Sequence, residues 1–417
     1  MTQTAHDPVS LLDILRAGEL TSAFQPIVDL ATGGVVGYEA LARGPAGRLA
    51  QPEDLFAVAR ADGLVAELDR ACQQAAFDGA VAEGMTAPLT LFVNLEPAAL
   101  DAGPIGLLAA AATLLPSGLH VVVELTERAL GTHPAELLRN VERIRELGVG
   151  IALDDVGAEP LSLAFMSLLR PDVVKLDLRL VQQRPDAQVA SIMNAVNAYA
   201  ERTGAVILAE GIENARHLAL ARALGARVGQ GWLFGRPVAD LLPGPSGAQL
   251  RLPPRPRRER QSATPFGCLG PGVDVRRSPK SLLVEVSRFL EREAARLGPA
   301  GIVAASFQVA DHFTPTTARR YREIAEGVGF VCVVGRGLPA EPVPGVRGAD
   351  LRADDPVGQE WDLVVLDPHF AVALLARDLG DDGPEADRTF EFALTYDRPT
   401  VEAAAYALIA KLAPAAA

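Results

Sequence analysis

Residues 150–157 read GIALDDVG, an apolar run that ends on two adjacent aspartates, Asp154 and Asp155. A strand that buries Ile151, Ala152 and Leu153 should finish on paired carboxylates only where something cationic meets them, because adjacent like charges repel as they lose water. The pattern recurs along the chain: Glu39, Asn94, Glu124, Lys175 with Asp177, Glu210 and Gln230 each follow a run of apolar side chains. A single strand-end carboxylate is ordinarily a helix N-cap or a solvated loop residue. Seven runs ending in the same kind of chemistry are a pattern that one site can explain.

Glu39, Glu124, Asp154, Asp155 and Glu210 gathered in one small volume would raise one another's pKa unless a divalent cation compensates. The six histidines show no HxH or HExxH spacing, and Cys72, Cys268 and Cys332 form no CxxC. The ligands would therefore be oxygens, the side-chain carbonyl of Asn94 included, a set that favours Mg2+ or Mn2+ over zinc. Two ions roughly 3.5–4 Å apart can share one aspartate, and the Asp154–Asp155 pair can supply that bridge plus a ligand for the second ion. Neighbouring side chains on a strand point to opposite faces, so both reach one site only if the chain turns, which we expect at Gly157. Such a site polarises a phosphodiester and activates water, with Lys175 and Arg43 as the local cations.

These residues need a frame that points strand ends at one place. Eight runs (AFQPIVD, VVGYEALAR, LTLFVNLEP, HVVVELTE, GIALDDVG, VVKLDL, AVILAEGIE and VGQGWLFG) alternate with helical stretches such as residues 134–147 and 185–203. That order predicts an α/β protein with a (β/α)8 barrel whose C-terminal mouth carries the polar set. Residues 243–265, PGPSGAQLRLPPRPRRERQSATP, lack periodicity and read as a semi-extended linker, with Arg251, Arg255, Arg257, Arg258 and Arg260 on a solvated face. We therefore expect a barrel over 1–242, a linker over 243–274 and a smaller α/β domain over 275–417. In that domain strands are expected near 302–307, 330–334 and 363–366, with a final helix near 401–412 and with Asp367 and His369 as capping or surface residues.

The net charge of −13 and pI near 5.0 argue against nucleic acid or anionic lipid as the main partner. No apolar run is long enough to span a bilayer, and the first residues lack a basic segment followed by an apolar core. Three distant cysteines suit buried thiols in a reducing, cytoplasmic setting without membrane insertion.

Taken together, QPIVDLATGGVVGYEALARGP, VNLEP, ELTE, LDDVG, KLDL, AEGIE and QGWLFGRP, in that order over roughly residues 10–241, resemble the EAL domain family, the cyclic di-GMP phosphodiesterases. The resemblance implies that Glu39, Asn94, Glu124 and Asp154 hold a first metal ion, with Asp154 bridging to a second beside Asp155. It implies that Lys175 is the catalytic lysine, Glu210 the base or water-positioning group, and Gln230 a supporting residue. Gln25, Leu41 and Arg43 resemble substrate contacts, with Asp177 and Glu213 beside them, and Glu127 resembles the anchor of the loop after the paired aspartates. It also implies one or two Mg2+ or Mn2+ ions and a homodimer formed through the barrel. One segment departs from the family pattern DDFGxGxxS: here DDVGAEPLS has Val156 for the aromatic, Glu159 for the second glycine, and Pro160. Residues 275–412, with SPKSLLVEVSRFLE and FVCVVGRGL, resemble the DICT domain, a presumed sensory module of unknown ligand. The expected function is metal-dependent hydrolysis of cyclic di-GMP to linear pGpG, modulated by that domain. A cyclic di-GMP receptor without turnover is the alternative. A different metal barrel with Lys175 as a proton-abstracting base accounts for the carboxylates but not for residues 230–237.

Overall fold

The computed structural model describes residues 10–96, 118–126, 131, 133–241, 249–254, 262–382 and 384–412. Strands β1 (Thr21–Asp29), β2 (Val35–Arg43), β3 (Thr90–Leu95), β4 (His120–Leu125), β5 (Gly150–Val156), β6 (Val173–Leu176), β7 (Val206–Ala209) and β8 (Val228–Gln230) close into a barrel in chain order. From β2 onward the pairs are parallel, but β1 runs antiparallel to both of its neighbours. The five residues 30–34 between β1 and β2 are too few for a helical crossover. Asp29 Oδ1 instead accepts the N–H groups of Ala31 and Thr32, and Gly33 takes φ +73°, which closes a hairpin. The expectation of a helix between every pair of strands thus fails at this first connection.

Helices α1 (Leu11–Ala17), α2 (Pro52–Asp62), α3 (Val65–Ala82), α4 (Pro134–Glu146), α5 (Pro160–Leu169), α6 (Leu178–Gln182), α7 (Ala187–Thr203) and α8 (Ala215–Ala223) belong to this half of the chain. The barrel interior holds Ile27, Val36, Phe92, Val122, Val173, Val206 and Val228, most of them at strand starts. Leu250, only 5% exposed, closes that cluster from below, with Leu252 beside it. The solvated linker expected here is therefore a plug at this point. Leu250 and Leu252, two residues apart, both pack against the apolar cluster at that end of the barrel.

The second domain is a seven-stranded sheet ordered β12-β11-β10-β13-β14-β15-β9. Its strands are β9 (Arg276–Pro279), β10 (Ile302–Val309), β11 (Phe330–Arg336), β12 (Arg347–Asp350), β13 (Glu360–Leu366), β14 (Ala371–Asp378) and β15 (Thr389–Thr395). Helices α9 (Lys280–Ala294) and α10 (Pro315–Ala325) cover one face and α11 (Arg398–Ile409) the other. The three strands foreseen from sequence lie inside β10, β11 and β13, while the hairpin partners β14 and β15 went unread. Asp367 Oδ1 caps a turn by accepting the N–H groups of His369 and Phe370.

The two domains share an apolar core. Helix α11 packs on α4 and α5 of the barrel, and Phe165 meets Phe330 edge-on at 5.0 Å. Every side chain from Ser162 to Leu169 in α5 is consequently buried. Among the described residues, no helix is long and apolar enough to cross a membrane.

Candidate active site

The paired aspartates reach one place through a bulge. Leu153 pairs with Val174 and Val156 with Leu176, so Asp154 and Asp155 together face the single residue Lys175. Two residues opposed to one bend a strand and re-aim its side chains. Asp155 adopts φ +52°, the left-handed conformation that aspartate tolerates better than most residues. The turn expected at Gly157 is thus made two residues earlier, and Gly157, at φ +99°, starts the lead into α5.

Lys175 is 1% exposed and stands at the centre of the barrel mouth. Its Nζ lies 2.8 Å from Glu124 Oε1, 2.9 Å from Asp154 Oδ1, 2.9 Å from Glu210 Oε1 and 3.7 Å from Glu39 Oε1. Three strands, β2, β4 and β5, and the segment just past β7 therefore converge on the ammonium carried by β6. Burial alone would lower its pKa, but Asp154, Glu124, Glu210 and Glu39 outweigh that and hold it well above the ordinary lysine value. Glu39 is also buried, yet Lys175 together with hydrogen bonds from Gln230 and Asn94 keeps its carboxyl below the usual range. Glu124 is pushed well up by burial and by the charges of Glu39 and Asp154. Glu210 is pushed up to about 8, burial again leading. One ammonium cannot neutralise five carboxylates, and Glu124 and Glu210 carry the deficit.

A polar frame surrounds this centre. Gln230 Nε2 donates to Glu39 Oε2 at 2.6 Å and to Gln25 Oε1 at 2.9 Å, while Gln25 Nε2 donates to the Gly235 carbonyl. Asn94 Nδ2 donates to Glu39 Oε1 at 3.2 Å. Leu41, with Glu39 and Asn94, lines a cavity of about 250 Å3 beside the centre. Arg43 at the end of β2 donates to its neighbouring Ala42 carbonyl. Asp177 is set apart, since its carboxylate caps α6 and holds Arg179. Glu213 is exposed beyond β7. Glu127 lies outside the described residues.

Two residues of this region were not read from sequence. Asp69 on α3 lines the same cavity, accepts the Glu96 N–H at 3.0 Å and the Gln73 amide at 2.6 Å, and is pushed up to about 8 by burial. Its only sequence signal is the Asp69–Gln73 spacing on one helix face. Thr126, just past β4, buries an unpartnered hydroxyl in the same wall. In the atypical loop, Pro160 occupies the first turn of α5, where its missing N–H is harmless, and Glu159 is exposed.

The donor set suits a hard divalent cation. Ligand oxygens of Asp154, Asp155 and Glu210 lie within 4.8 Å of one another. Both oxygens of Glu124 and Oδ1 of Asp154 are buried without a well-formed hydrogen bond, although the ammonium is near. Oxygens of this kind match Mg2+, Mn2+ or Ca2+ better than a soft metal.

The cyclic di-GMP phosphodiesterase RocR of Pseudomonas aeruginosa is 31% identical over 245 residues, which is 55% of this chain and 61% of that protein. The cyclic di-GMP phosphodiesterase NbdA of the same organism is 31% identical over 244 residues, 57% of this chain and 31% of its own. The chain spans less than two thirds of the length of these curated relatives. Among solved structures, the manganese and cyclic di-GMP complex of Klebsiella pneumoniae BlrP1 is 29% identical, with 53% of this chain and 56% of that one covered at a TM-score of 0.47. The model of the DICT domain, the sensory domain in diguanylate cyclases and two-component systems, matches residues 271–379. The EAL domain model matches residues 9–237, more than half of the sequence, and the chain belongs to the EAL domain family.

Proposed function

We propose that the chain is a divalent-cation-dependent phosphodiesterase that hydrolyses cyclic di-GMP to linear pGpG, with the second domain as its regulator. The observation that carries this reading is the buried Lys175 ammonium inside a ring of four carboxylates, with Asp155 alongside. Five carboxylates against one ammonium leave four uncompensated charges when all are ionised, a deficit that two divalent cations would cancel. Glu39, Asn94, Glu124, Asp154 and Asp155 would hold the ions, which when bound supply Lewis-acid polarisation of the phosphodiester.

The side chains divide the rest of the work. Glu210, whose carboxyl burial pushes up to about 8, accepts a proton from the attacking water. The water oxygen bonds to phosphorus, the bond from phosphorus to the 3′ oxygen breaks, and that oxygen leaves as a hydroxyl with a proton taken from solvent. Lys175 faces the charge that grows on the phosphoryl oxygens, where a buried ammonium stabilises the transition state more than the ground state. Gln230 and Asn94 hold Glu39 in orientation, while Gln25, Leu41 and Arg43 contact the nucleotide. Regulation is supported by α11, which packs on α5, the helix that follows the paired-aspartate loop. Because α5 is already covered within the chain, a homodimer through the barrel would use another face. Three free cysteines accord with a reducing cytoplasm.

The second reading is a receptor that binds without turnover, and the exposed Glu159 in the altered loop favours it, since it adds negative charge near the phosphate path. Incubating the full chain with cyclic di-GMP and Mg2+ or Mn2+, then separating nucleotides by chromatography, decides between them. Appearance of pGpG that EDTA suppresses supports the enzyme. Tight binding by calorimetry with no pGpG supports the receptor.

A further inference from the structure

The two faces of the second domain's sheet are closed differently. The face bearing Ala304, Cys332 and Val364 packs against α11 and shares the barrel's core. The opposite face, with Val303, Val333 and Val365, lies under α9 and α10, and there a cavity of about 440 Å3 remains between the helices and the sheet. Native cores leave few voids larger than a water molecule, whereas sites for small organic ligands occupy roughly 300–1,000 Å3.

The walls have a definite chemistry. Trp361 from β13, Phe307 from β10 and Tyr321 from α10 line the cavity. Their rings are braced edge-on, Phe307 to Tyr321 at 5.8 Å and Trp361 to Phe390 at 6.0 Å, so the aromatic surface is formed in advance. The charged groups are mostly spent on one another: Arg320 on Glu291 at 2.6 Å, Arg288 on Glu285 at 2.6 Å and Lys280 on Glu385. Asp311 is exposed at the edge of the cavity and disfavours an anion there. Among the described lining residues, one buried side-chain polar atom has no hydrogen-bond partner: Oγ of Ser287, on a residue 6% exposed. A buried hydroxyl left unpaired is unfavourable, so it invites a hydrogen-bonding group from whatever enters.

We propose that this cavity is a binding site for an uncharged, flat heteroaromatic molecule that packs among Trp361, Phe307 and Tyr321 and hydrogen-bonds Ser287 through one edge. The paired charges disfavour an ionic ligand because it would have to displace an existing partner. The aromatic walls favour a ring over an aliphatic chain. Strands β10 and β13 carry both this cavity and, on their other face, the core shared with the barrel, so occupancy is one sheet's thickness from α11.

The test titrates lumichrome, an uncharged tricyclic heteroaromatic, and theophylline, a bicyclic one, into the full chain. Binding is read from probe anisotropy or calorimetry and from quenching of tryptophan emission in a Trp232→Phe background, where Trp361 is the remaining indole. Saturable one-to-one binding of at least one probe is expected, weakened tenfold or more by Ser287→Phe, which fills the cavity, and by Trp361→Leu, which removes a wall. If Ser287→Phe fails to fold, Trp361→Leu alone decides. The proposal is overturned if neither probe saturates, if Trp361→Leu leaves affinity unchanged, or if the anionic 1-anilinonaphthalene-8-sulfonate binds this cavity more tightly than both neutral probes.

Discussion

Each domain of this chain buries a group of carboxylates, and they are stabilised in opposite ways. At the barrel mouth, Glu39, Glu124, Asp154 and Glu210 surround Lys175, and the ammonium holds Glu39 ionised despite its burial. In the second domain, Glu360 and Asp362 sit two residues apart on one face of β13, and among the described residues neither forms an ion pair like those of Lys175. There Asp362 is met by Ser306 Oγ at 2.8 Å and the Ala376 N–H at 3.3 Å, and Glu360 by the Phe266 N–H at 3.0 Å. Burial and the charge of Glu360 push Asp362 well above the carboxylate range, so Asp362 keeps its proton and serves as hydrogen-bonding structure beside the Glu360 carboxylate. The lesson is that buried acids signal chemistry when a fixed cation keeps them charged, and architecture when a retained proton lowers the charge.

Removing the cation should break that contrast most severely. Lys175→Met is expected to lower the rate of cyclic di-GMP hydrolysis by about a thousandfold or more, while nucleotide affinity changes by less than about threefold, since the ammonium acts chiefly on the transition state. A variant with native turnover would make Lys175 a structural counter-ion of the same kind as the Asp362 proton. Next in size, Glu39→Gln should cut hydrolysis by about a hundredfold or more and weaken Mn2+ binding measured by calorimetry. EDTA should silence the native chain, and Ca2+, larger and less demanding of octahedral geometry, should restore little activity.

The frame can also be loosened from its far end. Leu250→Asp puts a charge into the barrel floor without touching the mouth, and should cost about 3 kcal/mol of stability, read by denaturant unfolding. A chain ending at Pro243 lacks the plug altogether and should melt below one ending at residue 254; equal melting would make Leu250 dispensable.

The smallest effect concerns pH. Asp69, raised to about 8, and Asp362, raised well above the carboxylate range by burial and by Glu360, each bind more protons folded than unfolded between the ordinary carboxylate pKa and their own. Their contribution is therefore intact at low pH and lost as pH rises through that window, for Asp69 from about 4 to about 8. Asp69→Asn and Asp362→Asn should each flatten the decline by at most about 1.4 kcal/mol per pH unit, so that variant and native unfolding free energies run parallel below about pH 4 and diverge steadily up to pH 8. Parallel pH dependences would mean that these acids are ionised in the folded state.

All eight barrel strands and the polar residues at their ends were legible in the sequence, because strand-length apolar runs and what ends them are local properties. Lys175 stood out by its residue type and position alone. Asp69 did not, since one helical aspartate among many has no local mark of burial, and β14 and β15 did not, since a hairpin's worth is set by the strands it pairs with.

What the sequence determined by itself was thus which residues stand at strand ends and in what order, through the period of two that alternates side chains along a strand. Only the tertiary structure decided that β1 runs backwards, that a bulge turns Asp154 and Asp155 toward one lysine, that Leu250 seals the floor and that α5 is sealed under α11. Each of these depends on contacts between residues far apart in the chain, and burial, pairing register and the sharing of one ammonium among four carboxylates come into being only when those residues meet.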